Sequence, residues 1–180
     1  MRVITGKARG VVLKTPEGLQ TRPTSDRVKE ALFSIIQFDI PGRKVLDLFG
    51  GTGQLGIEAL SRGADSAVFV DAGEAACKLI KENLRRTRLE AQAKVVRSDY
   101  LQFLSATKEK FDLILLDPPY AEVFLENSLK CISEIDILQT DGIIVTERPI
   151  EKILEWENSG FSRSKDYKYG NTLITIFRKL

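Results

Sequence analysis

The segment from Val45 to Gly56 constrains this chain more than any other. It runs Val45-Leu46-Asp47-Leu48-Phe49, then Gly50-Gly51-Thr52-Gly53-Gln54-Leu55-Gly56, then Ile57-Glu58-Ala59-Leu60. An apolar run into an acid, a glycine cluster and a renewed apolar pattern predict a buried parallel strand, a tight turn and a helix start. Glycine permits the sharp turn and lets a ligand approach with no Cβ in the way. Gly51 to Gly56 spells G-x-G-x-x-G, the spacing of a dinucleotide-binding turn. Asp47 changes that reading. A carboxylate at the strand end would repel a pyrophosphate but suits a ligand bearing an ammonium and a sulfonium. S-adenosylmethionine is such a ligand. The plainer alternative is a glycine turn that only closes an α/β unit.

Strand and helix patterns alternate from Lys44 onward, which predicts a parallel sheet with helices on both faces. Strands are expected at 44–48, 66–71, 93–97, 111–117, 142–146, 161–167 and 172–178. Helices are expected near 54–62, 74–87, 100–106 and 122–134, with a short one near 150–157. Tyr169-Gly170-Asn171 joins the last two strands at hairpin spacing, so the final strand runs antiparallel to its neighbour. Ahead of the alternating region, residues 1–14 read as a short hairpin turning at Gly6 to Gly10. Thr24 or Ser25 can cap a following helix in which Val28, Ala31, Leu32, Ile35 and Ile36 form one apolar face. Pro41-Gly42 ends it. The expected organisation is a hairpin arm over residues 1–20 and one domain over 21–180, since 180 residues suffice for one substantial core.

The chain has no histidine and two distant cysteines, Cys77 and Cys131. A zinc site or a Cys-His nucleophile is therefore not expected, and any general base must be a carboxylate, a lysine or a tyrosine. No metal and no membrane partner are expected, and without a signal-peptide pattern the default location is the cytoplasm. The net charge of +2 is too small to argue for nucleic acid, but its distribution says more. Arg2, Lys7, Arg9, Lys14, Arg22, Arg27 and Lys29 crowd the first 29 residues against only Glu17 and Asp26. Lys78, Lys81, Arg85, Arg86 and Arg88 form a second cluster, and 141–157 is acidic. A basic N-terminal arm is a candidate phosphate-contacting surface, with Lys7, Arg9, Arg22 and Arg27 as its candidate contacts. A solvated hairpin is the alternative. Arg27 is assigned to RNA, whereas Arg22 could steer either RNA or the cofactor carboxylate.

Ligands of open parallel sheets bind at the carboxyl ends of the strands. Four of the expected ends carry an acid: Asp47, Asp71, Asp99 and Asp117. One such acid means little, because aspartate commonly caps helices; four on one rim suggest a site. Asp71 lies 18 residues past Gly53, close to the ~20 of an acid that binds ribose hydroxyls. Asp99 would accept from an adenine amino group, with Tyr100 beside the ring. The expected cofactor set is Asp47, Phe49, Gly51, Gly53, Asp71, Ala72, Asp99 and Tyr100.

Asp117-Pro118-Pro119-Tyr120 is the most discriminating motif. Two prolines after a buried strand stiffen the backbone and remove N–H donors. A carboxylate, outward carbonyls and an aromatic ring remain, a set that can hold a planar base bearing an exocyclic amine. Asp117 and the Pro118 carbonyl accept its two N–H bonds while Tyr120 stacks on the base. The nitrogen lone pair is then localised for in-line attack on a sulfonium methyl. No strong base is required, because the proton can leave after attack.

Seven strands ending in a hairpin are similar to the class I methyltransferase pattern, a Rossmann-like α/β fold with one antiparallel strand. More specifically, the chain resembles the RsmD-type 16S rRNA (guanine-N2)-methyltransferases over nearly its whole length. The resemblance is carried by Arg22-Pro23-Thr24-Ser25-Asp26-Arg27-Val28-Lys29-Glu30-Ala31-Leu32-Phe33, by Asp47-Leu48-Phe49 through Gly56 to Ala64, and by Asp117-Pro118-Pro119-Tyr120. Tyr169-Gly170-Asn171-Thr172 and the hairpin turn Gly6-Lys7-Ala8-Arg9-Gly10 match more weakly. The resemblance implies S-adenosylmethionine as cofactor, N2-methylguanine in 16S rRNA as product, and rRNA assembled with ribosomal proteins as substrate. Gly50, Thr52, Asp71 and Val11 depart mildly from the family's usual residues, and none removes a catalytic group. An adenine-N6 DNA methyltransferase could use the same Asp-Pro-Pro-Tyr, but this chain has no insertion for a target-recognition segment. An NAD-dependent oxidoreductase would leave Asp47, Asp99 and Asp117 unexplained. The intact rim argues against a non-catalytic RNA-binding module.

Overall fold

A computed structural model of the chain describes residues 1–16, 26–119, 123–158 and 160–180. After helix α1 (Asp26–Ile35) the alternation begins. The elements are β1 (Lys44–Asp47), α2 (Gln54–Ser61), β2 (Ser66–Asp71), α3 (Glu74–Thr87), β3 (Ala93–Arg97), α4 (Tyr100–Ala106), β4 (Phe111–Leu116) and α5 (Phe124–Ile135). Then come β5 (Leu138–Pro149), β6 (Phe161–Arg163), β7 (Tyr167–Tyr169) and β8 (Thr172–Lys179).

The strands form one sheet in the order β3-β2-β1-β4-β5-β8-β6, with β7 also paired to β8. The first five run parallel, and β8 is antiparallel to β5, β6 and β7. β1, β2 and β4 are near-continuous apolar runs because both faces of the sheet are covered there, whereas β3, at the sheet edge, has no fully buried residue. One core layer joins α1, α2 and α3 to residues such as Val45, Phe69 and Val145; the other joins α4 and α5 to Leu46, Val68 and Ile144. This is the expected α/β architecture with its single antiparallel strand. Among the described residues no helix is long and apolar enough to cross a membrane.

The sheet has eight strands among the described residues where seven are expected, because the expected strand 161–167 is broken in two. The break is made by side chains. Asp166 accepts from the Thr175 hydroxyl and from Arg148 Nη2, and the Ser164 hydroxyl accepts the Ile176 N–H. Side chains there replace part of the backbone ladder. The short helix expected near 150–157 is absent. Leu154 and Trp156 turn inward while Ile153 and Glu155 face solvent, an alternation that belongs to extended chain.

The N-terminal hairpin pairs around Arg2 and Val12, with Val3 donating to the Val11 carbonyl and Leu13 to that of Met1. It belongs to the first core layer, where Val3, Ala8 and Leu13 are buried. Glu58 of α2, fully buried, accepts the N–H groups of Ile4 and Thr5 and pairs with Arg62. Lys29, also fully buried, donates to the Arg2 carbonyl and lies 3.8 Å from Glu58. Burial lowers the Lys29 pKa and the Glu58 charge opposes that shift.

Gly56 is held by the most restrictive of the glycine packing contacts in the turn. A Cβ there would lie 2.3 Å from the Phe69 ring of β2, so only a hydrogen lets α2 settle against the strand. Gly56→Ala is expected to destabilise the protein by about 1–3 kcal/mol, the usual cost of overpacking a core. Thermal unfolding measures it; a variant as stable as the parent would show that Phe69 gives way freely.

Candidate active site

The winding reverses between β1 and β4. From β1 the chain proceeds outward to β2 and β3, then returns to place β4 on the other side of β1. A crevice opens at such a switch point, outside the carboxyl ends of the two strands. Asp47 ends β1 and pairs in register with Leu115; Asp117 follows β4 two residues later. The two acids therefore border the same crevice from adjacent strands.

Asp47 is 2% exposed, and its Oδ2 accepts the Gly56 N–H at 3.0 Å. Burial pushes its pKa up to about 7; the Gly56 hydrogen bond opposes the shift, and the charges of Asp117 and Asp71 add to it. Three carboxylates thus concentrate negative charge at the crevice. Asp71, at the end of β2, clamps the glycine turn to the next loop. Its Oδ2 accepts the Gly51 N–H at 2.9 Å and its Oδ1 the Gly73 N–H at 2.8 Å. Gly51 and Gly53 have φ of 53° and 79°, the left-handed region in which glycine avoids strain. Ala72 is exposed between the clamped residues.

Asp99 lies past β3, where it caps α4 with Oδ1 accepting from Leu101 and Gln102. That oxygen serves the helix cap. Tyr100 is buried, with its ring centroid 5.3 Å from that of Phe49 and 5.4 Å from that of Phe124. Phe49 and Phe124 are 6.1 Å apart at an edge-to-face angle. These rings cluster where the loop after β1 meets the starts of α4 and α5 and pack against the second core layer. Sequence reasoning missed Phe124. Its only signal is an aromatic seven residues beyond Asp117.

In the Asp-Pro-Pro-Tyr motif Asp117 is half-buried, Pro118 buried and Pro119 exposed. Tyr120 and Arg22 lie outside the described residues. Lys7, Arg9 and Arg27 are exposed. Lys7 and Arg9 do not meet the rim: the Lys7 N–H donates to the Ser61 carbonyl and the Ala8 N–H to the Ser61 hydroxyl, at the end of α2 opposite the glycine turn. Arg27 stands in the first turn of α1. The structure thus gathers Asp47, Phe49, Gly51, Gly53, Asp71, Tyr100 and Asp117 at one crevice and leaves the basic candidates elsewhere. Among the described residues no group of three or more His, Cys, Asp or Glu side chains could hold a metal ion.

Comparison with known proteins gives this crevice its context. The Bacillus subtilis protein YlbH is 41% identical over 99% of this chain and 99% of its own length. The Escherichia coli ribosomal RNA small subunit methyltransferase D is 30% identical over 99% of this chain and 90% of its own. The solved structure of the Escherichia coli protein YhhF superimposes with a TM-score of 0.89 at 28% identity, covering 99% of this chain and 97% of that one. A family model described as conserved hypothetical protein 95 matches residues 1–178. The chain belongs to that family, the RsmD family of rRNA methyltransferases.

Proposed function

We propose that this protein transfers a methyl group from S-adenosylmethionine to the exocyclic N2 amine of a guanine in 16S rRNA within an assembled small-subunit particle. One observation carries the reading. The Asp117 carboxylate follows β4 directly across the switch point from Asp47, whose buried charge has no counter-ion among the described residues. The residues fit the cofactor: a poorly compensated anion at Asp47 suits its ammonium and sulfonium, and Asp71 suits ribose hydroxyls. Bound there, S-adenosylmethionine supplies an electrophilic methyl on a cationic sulfur. Asp117 and the Pro118 carbonyl accept the amine hydrogens and orient the nitrogen lone pair, and Tyr120 stacks on the base. Methyl transfer would form the N–C bond at the expense of the S–C bond and would leave a neutral thioether. The extra proton on nitrogen passes to Asp117 or to water.

The test of the product is a map of methylated guanines in rRNA from cells with and without the gene. Loss of one N2-methylguanine from 16S rRNA is expected; an unchanged map, or loss of a methylated adenine, overturns the assignment. For the cofactor, Asp71→Ala is expected to weaken S-adenosylhomocysteine binding by about 1–3 kcal/mol, the cost of hydrogen bonds to a charged group. Calorimetry reads this, with NADH as the control that should not bind.

A further inference from the structure

The hairpin and α3 are tied together by their backbones. Asn83 of α3, fully buried, accepts the Lys14 N–H at 2.8 Å and donates to the Lys14 carbonyl at 3.1 Å. Arg86 Nε donates to the Val12 carbonyl, and the Lys14 ammonium pairs with Glu82. The outgoing limb meanwhile lies along α2 through Glu58 and Ser61. The hairpin thus bridges two helices, and its Lys7–Arg9 tip sits at the far end of α2. Eight residues of α2 rise about 12 Å, which separates the tip from the glycine turn.

The charges on this face are unbalanced. Both acids of α3 are engaged, Glu74 with Lys78 and Arg97, and Glu82 with Lys14. Among the described residues Lys7, Arg9, Lys81, Arg85 and Arg88 are exposed and form no ion pair. Lys81 and Arg85 stand four residues apart, an unfavourable like-charge spacing on a helix. The helix dipole accounts for cations in the last turn, but not for Lys81 or the hairpin tip. On the opposite face of the sheet, α5 and the segment after β5 expose Glu134, Glu151, Glu155 and Glu157.

The structure assigns the joined surface of the hairpin and α3 as a phosphate-binding track for folded RNA, extending from the crevice side of the domain to its opposite end. The inference rests on the reading of the chain as an rRNA methyltransferase. A nucleotide in the crevice cannot itself reach Lys7 and Arg9 at the far end of α2. A folded RNA can, with one base in the crevice and its backbone along the track. The polyanion would also relieve the repulsion among the cations, and the acidic face would disfavour docking the other way round.

The test uses the full-length chain, because removing residues 1–14 would uncover the core at Val3, Ala8 and Leu13. The variant carries Lys81→Gln, Arg85→Gln and Arg88→Asn together. Arg88 has φ of 58°, which asparagine accepts, and Arg86 is kept because it holds the hairpin. Binding to small-subunit particles that carry unmethylated 16S rRNA and to a single-stranded RNA octamer is measured at several salt concentrations, with S-adenosylhomocysteine affinity as the control. Cofactor affinity should match the parent, and particle affinity should drop at low salt. The slope of log affinity against log salt should shrink by about 0.7–0.9 for each phosphate contact removed. The octamer should bind both proteins alike. An unchanged slope with parental rRNA methylation overturns the track while leaving the enzyme assignment standing, and an equal loss on the octamer overturns the folded-RNA requirement. Failure of the parent to bind or methylate the particle overturns both.

Discussion

Asp117→Asn is expected to lower methyl transfer to rRNA by about 10²–10³-fold, the usual effect of removing one preorganised polar contact to a reacting group. Cofactor affinity should change far less, because the proposed partner of Asp117 is the target amine. The amide keeps the shape of the side chain but accepts hydrogen bonds through one oxygen and carries no charge. A second readout separates this role from a folding role. The Asp117 charge is one of the causes that raise the Asp47 pKa, so its removal should lower the pH midpoint of Asp47 titration. Near-parental turnover in Asp117→Asn would remove this residue from the reaction. Lost turnover with an unmoved Asp47 midpoint would leave the two acids uncoupled.

Asp47→Asn is expected to stabilise the ligand-free protein near neutral pH and to weaken its hold on the cofactor. The folded-state pKa is raised from 3.8 to about 7, so the protonated form is favoured by the fold. Its contribution to stability is fully present below about pH 4 and is lost as pH rises through about 7. The full loss is roughly 4 kcal/mol, at ~1.36 kcal/mol for each tenfold change in proton affinity between the unfolded and folded chain. Asparagine stays neutral and can still accept the Gly56 N–H, so the variant should not suffer that loss. Each kcal/mol moves the midpoint by roughly 2–4 °C in a domain of this size. A cationic ligand reverses the preference by favouring ionised Asp47. Parental affinity for S-adenosylmethionine should therefore rise with pH by at most about tenfold per pH unit below the midpoint, then level off. In Asp47→Asn that rise should vanish. Melting curves and calorimetry from pH 5 to 8 read both effects; matching pH profiles for parent and variant would deny Asp47 a place in the cofactor site.

The hairpin shows where local reading stops. Its turn and its cationic residues are legible along the chain, but its burial is not. Val3, Ala8 and Leu13 become core only because α1, α2 and α3 converge on them. Lys29 shares the apolar face of its helix with Leu32, Phe33 and Ile36, and its charge is fully buried there. Its partners, the Arg2 carbonyl and Glu58, lie 27 and 29 residues away.

The sequence by itself determined the alternation of strands and helices, the glycine turn and the placement of four acids at strand ends. Those features follow from short-range physics: side-chain period, backbone freedom at glycine, and stiffness at proline. Only the tertiary structure decided which acids share a crevice. Asp47, Asp71 and Asp117 meet because β1 lies between β2 and β4 in the sheet, whereas Asp99 is partly spent as a helix cap. The same dependence on distant partners broke the expected strand 161–167 at Asp166, brought Phe124 against Phe49 and Tyr100, and laid the hairpin along α3. Period and propensity record how a segment presents its faces; the topology of the whole chain chooses what each face meets.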